Sequence, residues 1–326
     1  MKLENGAFAA AKNGELVVEL GPTDQPTLIF SGTKGLVAMC LLLLIERGQL
    51  ELEAPVTRYW PEFRHRDVLV RHVVSHTAGL PGLRPPPTAE DLLDGERMAA
   101  RLAAEPPIWP AGERLAYHAL TFGWLCGELV RRIDGRTIGT FFANEFAQPL
   151  ELELWIGLPA EVEPRVARLE RAPGYGVAGE PGPLLEALYG PMLHRFPWNE
   201  PAIHAAEIPA ANAIGTARSL ALLYVRLEAV LRPETILLGR TELSRGVCAV
   251  TDYPYAFGVG FELQTELGML GPPANAFGHT GSGGSAHGAW PDEHVGFSYI
   301  PTELRTSATD ERARRLLAAL HEELRS

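Results

Sequence analysis

The amino-acid sequence predicts an α/β protein of the α+β type: an antiparallel sheet built from an N-terminal hairpin plus C-terminal strands, flanked by helices, with a large and mostly helical insertion. Three observations carry that prediction. Two strand-like runs joined by Asn13-Gly14 open the chain, comparable runs return only from about residue 256, and the stretch between them shows helical periodicity broken by Pro-rich loops. A lone hairpin is marginal in water, so the first strands need the last ones as partners. Residues 1–30 with 250–326 are expected to form the sheet domain and residues 31–249 the helical one, with the active site between them.

The elements follow in order. Ala7 to Lys12 and Glu15 to Leu20 flank Asn13-Gly14, the strongest two-residue hairpin signal. After Phe30-Ser31-Gly32-Thr33-Lys34-Gly35 comes an unbroken apolar run from Leu36 to Ile45, too short to span a bilayer and apolar all round, which marks a core helix ending at Arg47-Gly48. Asp67 is expected to cap a helix over 68–75, and Thr88 one over 89–104. Further helices are expected over 121–133, from Thr137 toward Phe146, and over 216–231. Residues 171–213, rich in Pro, Gly and aromatics, read as a long loop or insertion. Strands are expected over 256–263, 275–280, 285–290 and 295–300, and an amphipathic helix over about 309–324 closes the chain.

Composition narrows the classes of function. A net charge of −11 over 326 residues supplies no basic stripe for nucleic acid, so a small molecule is the expected partner. The start, Met1 to Gly6, lacks the apolar core of a secretory leader, and Ala7 to Ala11 is too short to be one, so a cytoplasmic protein without a membrane partner is expected. Cys40, Cys126 and Cys248 are far apart and imply no disulfide framework. No cofactor is implied. His72 and His76 share a helix face at i, i+4, but the Glu of a zinc-protease motif is missing after the first, so they read as helix-end histidines holding backbone and no metal is expected.

The chemistry centres on Ser31 and Lys34. One helical turn puts both side chains on one face, the arrangement of a nucleophile and its base. Of 29 basic residues 26 are Arg and three are Lys, and with nine serines a chance Ser-x-x-Lys is expected roughly 0.08 times. A lysine kept where arginine is the habit suggests a group that must lose its proton, and burial beside a helix N-terminus favours the neutral amine. The competing reading is a helix cap at Ser31 and a solvated Lys34. Tyr117, just before a helix, is placed to share or relay the proton, or else anchors a loop; His118 beside it reads as a loop residue. In Phe277-Gly278-His279-Thr280-Gly281-Ser282-Gly283-Gly284-Ser285, glycines let backbone approach a ligand and free N–H groups point at an oxyanion. Neither Ser282 nor Ser285 sits in Gly-x-Ser-x-Gly, which sets the lipase-type arrangement aside.

Together with Glu51 to Val56, Tyr59 to Phe63 and Val70-Arg71-His72-Val73-Val74-Ser75-His76-Thr77-Ala78-Gly79-Leu80, these segments give a sequence that resembles the serine β-lactamase and penicillin-binding-protein superfamily, in the class C-like branch that holds family VIII carboxylesterases. The resemblance covers nearly the whole chain and implies a β-lactamase/transpeptidase-like fold. It implies Ser31 as acylated nucleophile, Lys34 as its base and Tyr117 as partner in proton transfer. The backbone N–H groups of Ser31 and Ser282 would form the oxyanion hole, and His279, Thr280 and Gly281 would line the substrate. His279 stands where β-lactamases carry Lys, and Ala119 where Tyr-x-Asn or Tyr-x-Ser is usual. A neutral imidazole binds carboxylate less firmly than an ammonium, and Ala119 offers no polar group to an acyl amide. The expectation is a serine hydrolase cleaving a small carboxylic ester. The alternatives are acyl transfer in a biosynthetic pathway, weak β-lactamase or D-aminopeptidase-like activity, and a non-catalytic binding protein on the same fold.

Overall fold

The computed structural model describes the chain apart from residues 1, 2, 4, 177–181, 307, 308 and 326, with backbone alone at 190–195. Its centre is an eight-stranded antiparallel sheet: β1 (Gly6–Lys12), β2 (Glu15–Leu20), β3 (Ser244–Val247), β4 (Pro254–Phe257), β5 (Glu262–Leu263), β6 (Phe277–Gly281), β7 (Ser285–Trp290) and β8 (Val295–Pro301). The order across the sheet is β2-β1-β8-β7-β6-β5-β4-β3, so the first hairpin lies against the last strand. Asn13 and Gly14 both take positive φ, 52° and 86°, as a tight two-residue turn requires.

Each face of the sheet is covered. Along β1, Ala7, Ala9 and Ala11 face the large core while Phe8 and Ala10 face the opposite way, the period of two expected of a strand. Helix α4 (Ala217–Val225), capped by Thr216, crosses β1, β8 and β7 on the large-core side. On the other face α5 (Arg312–Glu323) lays Leu316, Leu317 and Leu320 against Phe8, Trp290 and Phe297. Beyond α4, helix α1 (Thr33–Glu46) is buried from Thr33 to Leu44 and packs against α3 (Thr121–Asp134), as its all-round apolar sequence requires.

Several boundaries differ from expectation, each for a local reason. Asp67 caps nothing: Val68 and Leu69 stay extended, because Val56 N–H donates to Val68 O at 2.9 Å and Val70 N–H to Ala54 O at 3.0 Å, so the helix shrinks to Val70–Val74 with Leu69 ahead of it. Thr88 and Asp91 bond reciprocally around a 3₁₀ turn, and α2 (Gly95–Ala104) starts afresh with Asp94 as its cap. The helix after Thr137 ends as Ile138–Phe142 and widens into a π turn, Ala143–Ala147. The strand expected over 256–263 is split at Gly260, whose φ is 74°. The expected 216–231 helix stops at Val225, with a 3₁₀ turn Leu227–Ala229 after it. The 171–213 segment, of which 177–181 lie outside the described residues, holds helices Pro183–Arg195 and Pro201–Ala205, each opened by a proline at its first position.

Candidate active site

Phe30 takes φ 49°, a left-handed conformation that is unusual for a bulky residue, and the chain turns through Phe30–Gly32 directly into α1. This turn presents Ser31, half-buried, with the Phe30 ring set edge-on to Trp198 at 5.8 Å. One turn on, Lys34 is 0% exposed, and its Nζ lies 3.0 Å from Ser31 Oγ and 2.9 Å from the carbonyl oxygens of both Ala119 and Ala210. Burial holds the Lys34 amine well below its usual pKa, with the charge of Glu262 the largest opposing influence. A neutral amine has two N–H bonds and one lone pair. Two carbonyls that can only accept take both N–H bonds, so the lone pair is left facing the Ser31 hydroxyl.

Tyr117 stands over Lys34, whose Nζ is 4.7 Å from the ring centroid, and its phenol hydrogen-bonds to Ser31. Burial pushes that phenol well above its usual pKa, so it is a neutral O–H. Two residues clamp the Tyr117 backbone. Cys248 Sγ accepts the Tyr117 N–H at 3.2 Å. His76, held at φ 61°, accepts the Ala116 N–H on its carbonyl and the His118 N–H on Nδ1, both at 3.0 Å, with its ring 5.0 Å from that of Tyr117. His118 spends both ring nitrogens on backbone: Nδ1 donates to Ala116 O at 2.5 Å and Nε2 accepts from Leu80 N–H at 3.2 Å, while burial lowers its pKa to about 4. His72 Nδ1 accepts the Leu69 N–H at 3.2 Å, so both histidines of the i, i+4 pair hold backbone. Among the described residues no group of three or more His, Cys, Asp or Glu is placed to hold a metal ion.

Strand β6 brings the remaining candidates to Ser31. A Cβ on Gly281 would stand 2.7 Å from Ile29 O and 3.4 Å from Phe30 Cβ, so only glycine lets this strand lie so near the turn that carries the serine. Ser282 follows at an exposed corner, its Oγ 2.8 Å from the Tyr175 hydroxyl. The corner is pinned by Arg312, which donates to Gly283 O at 3.2 Å and pairs with Asp310 at 2.6 Å. His279 points inward: it is 1% exposed, Nδ1 donates to Thr280 O at 2.6 Å, and burial first, then Lys34, lowers its pKa to about 3. Directly across β6 and β7 lies His287, bonded to Ser298 Oγ at 2.8 Å. The structure thus gathers Ser31, Lys34, Tyr117, His279, Thr280, Gly281 and Ser282 at one place. It also brings Ala210, Cys248, His287 and Glu262 there, none of which carries a motif of its own in the sequence.

Helices over both faces of an antiparallel sheet, with this site beside the interior strand β6, make a β-lactamase/transpeptidase-like fold. The chain belongs to the beta-lactamase family, whose profile matches residues 1–322. It is 32% identical to the esterase/beta-lactamase LipL of Mycobacterium tuberculosis over 92% of this chain and 77% of that protein. Among solved structures, a penicillin-binding protein homologue from Caulobacter crescentus superposes with a TM-score of 0.89 at 34% identity, over 98% of this chain and 92% of that one. A family VIII carboxylesterase superposes with a TM-score of 0.86 at 29% identity over the same shares. No described helix is long and apolar enough to cross a membrane.

Proposed function

We propose that the protein is a serine hydrolase of small carboxylic esters, working through a Ser31 acyl-enzyme in a cleft between the sheet and the helices. One observation carries the reading: both N–H bonds of Lys34 are taken by the carbonyls of Ala119 and Ala210, leaving its lone pair for the Ser31 proton. As Ser31 Oγ attacks the ester carbonyl carbon, Lys34 takes that proton. The Ser31 N–H, at a helix start where no intrahelical acceptor exists, and the Ser282 N–H hold the oxyanion. The bond to the alcohol oxygen then breaks, and the proton held by Lys34 reaches the leaving oxygen through the neutral Tyr117 hydroxyl. Water repeats the sequence on the acyl-enzyme and releases the acid.

Relatives named esterase/beta-lactamase and family VIII carboxylesterase support the class of reaction. Esters are favoured over amides because Ala119 offers no side-chain donor for an acyl amide, and its carbonyl is already bonded to Lys34. Intact mass after exposure to a small fluorophosphonate tests the reading. A single adduct on the wild type, absent in Ser31→Ala, is expected; a wild type that stays unmodified while folded would refute it.

A further inference from the structure

Beside Ser31, strand β6 loses its neighbour. Its pairing with β5 ends at Gly278 opposite Glu262, so beyond that point the edge that faces the cleft has no strand carbonyl to accept its N–H groups. The side chain of Glu262 takes that place: its Oε2 accepts the Thr280 backbone N–H at 2.8 Å and the Thr280 hydroxyl at 2.7 Å, and it lies 3.6 Å from His279 Nδ1. Glu262 is 4% exposed, whereas Thr280 is half-exposed at the cleft.

A carboxylate accepts and does not donate, so the hydroxyl proton of Thr280 is committed inward and lone pairs remain toward the cleft. The neighbouring groups do not offset this. His279 donates its Nδ1–H to Thr280 O and keeps Nε2 buried, and the N–H bonds of Lys34 are spent on two carbonyls. An acyl chain laid along β6 therefore meets acceptor atoms backed by a buried carboxylate, and neither Lys34 nor His279 offers a cationic donor beside them.

We propose that Glu262 is a specificity-determining residue: its charge, set behind the Thr280 hydroxyl whose proton it holds inward, selects against acyl groups that carry a carboxylate along β6, and admits neutral ones and those that bring an O–H, N–H or ammonium donor. This rests on the Ser31 hydrolase reading above. Discrimination comes from an unpaired acceptor and a like charge set against the wrong substrate.

The test uses three fluorophosphonates with the same alkyl chain, ending in methyl, carboxylate or trimethylammonium, with labelling of Ser31 followed by intact mass. It is run at high ionic strength, so that the net charge of −11 is screened. The wild type is expected to react with the methyl and ammonium probes at least about tenfold faster than with the carboxylate probe, and Glu262→Gln to cut that preference to about threefold or less. Gln keeps an acceptor for Thr280 and removes the charge. A carboxylate probe that labels wild type as fast as the methyl probe, or a preference unchanged in Glu262→Gln, overturns the inference and leaves the hydrolase reading standing. Failure of all three probes to label Ser31 overturns both. If Glu262→Gln does not fold, the wild-type order of the three probes decides alone.

Discussion

At the scale of single residues, the protonation state of Lys34 decides the chemistry. Lys34→Met keeps the length and apolar character of the side chain in a fully buried site and removes the base. Activity on an activated ester should fall by about 10²–10⁴, the usual contribution of a positioned base. Two carbonyls left without donors should cost about 1–3 kcal/mol each in stability. Ester rates paired with urea unfolding check both; a folded Met variant that kept a tenth or more of its activity would remove Lys34 from the mechanism. Ser31 and Lys34 were legible in the sequence because helical geometry alone makes i and i+3 neighbours, and the Arg-rich composition made this one Lys conspicuous. Tyr117 was legible as a tyrosine just before a helix that either relays the proton or anchors a loop, and the resemblance chose between the two. His76 was legible as a histidine holding backbone, though not as the one that holds the chain on either side of Tyr117; Glu262 and Cys248 stayed hidden, because what they touch is set by strand register and helix packing, which no local spacing encodes.

At the scale of elements, the first turn of α1 is fitted against β7. Gly32 has φ −51°, which any residue adopts, so its requirement is steric. A Cβ there would stand 2.5 Å from Cδ2 of His287, a ring fully buried and tied to Ser298. Gly32→Ala should therefore move the Ser31 turn away from β6 and β7, at a cost of about 1–3 kcal/mol for overpacking. The catalytic effect is expected mainly in kcat, since the displaced atoms are Ser31 Oγ and its N–H. Steady-state kinetics with thermal unfolding check this, and an unchanged kcat would show that His287 can yield. The same scale shows where sequence reading of elements succeeded and stopped. The hairpin and the last strands have clear turn signals, α1 has an unbroken apolar run closed by Arg47-Gly48, and they formed as expected. Helix Pro183–Arg195 did not declare itself, because Gly190-Pro191 inside it and Pro183 at its start carry the signature of a loop.

At the scale of the whole molecule, the site is built on buried neutral histidines, and that choice sets how stability responds to acid. Burial lowers His279 and His287 to about 3 and His118 to about 4, and drives His76 well below its ordinary value. In the unfolded chain each titrates near pH 6.5. Between those limits the unfolded state holds more protons than the folded one, so stability rises with pH and is lost on acidification from about pH 6.5 downward. Glu262 works in the opposite sense, because burial raises its carboxyl, but it accounts for one proton at most. Carboxylates lowered by arginine partners or hydrogen bonds, such as Glu145 and Glu19, add to the acid loss only at lower pH, where unfolded Asp and Glu titrate. Urea unfolding between pH 5 and 6.5 should therefore show stability falling by roughly 1.4 kcal/mol per pH unit for each proton taken up, with an uptake of about two or more. His287→Asn, which removes one titrating ring and leaves Ser298 a polar partner, should lower that uptake by close to one proton. A slope below that of a single proton would mean that these rings are charged in the folded state; with His279 a cation beside Thr280, a substrate carboxylate would then be welcome in the cleft.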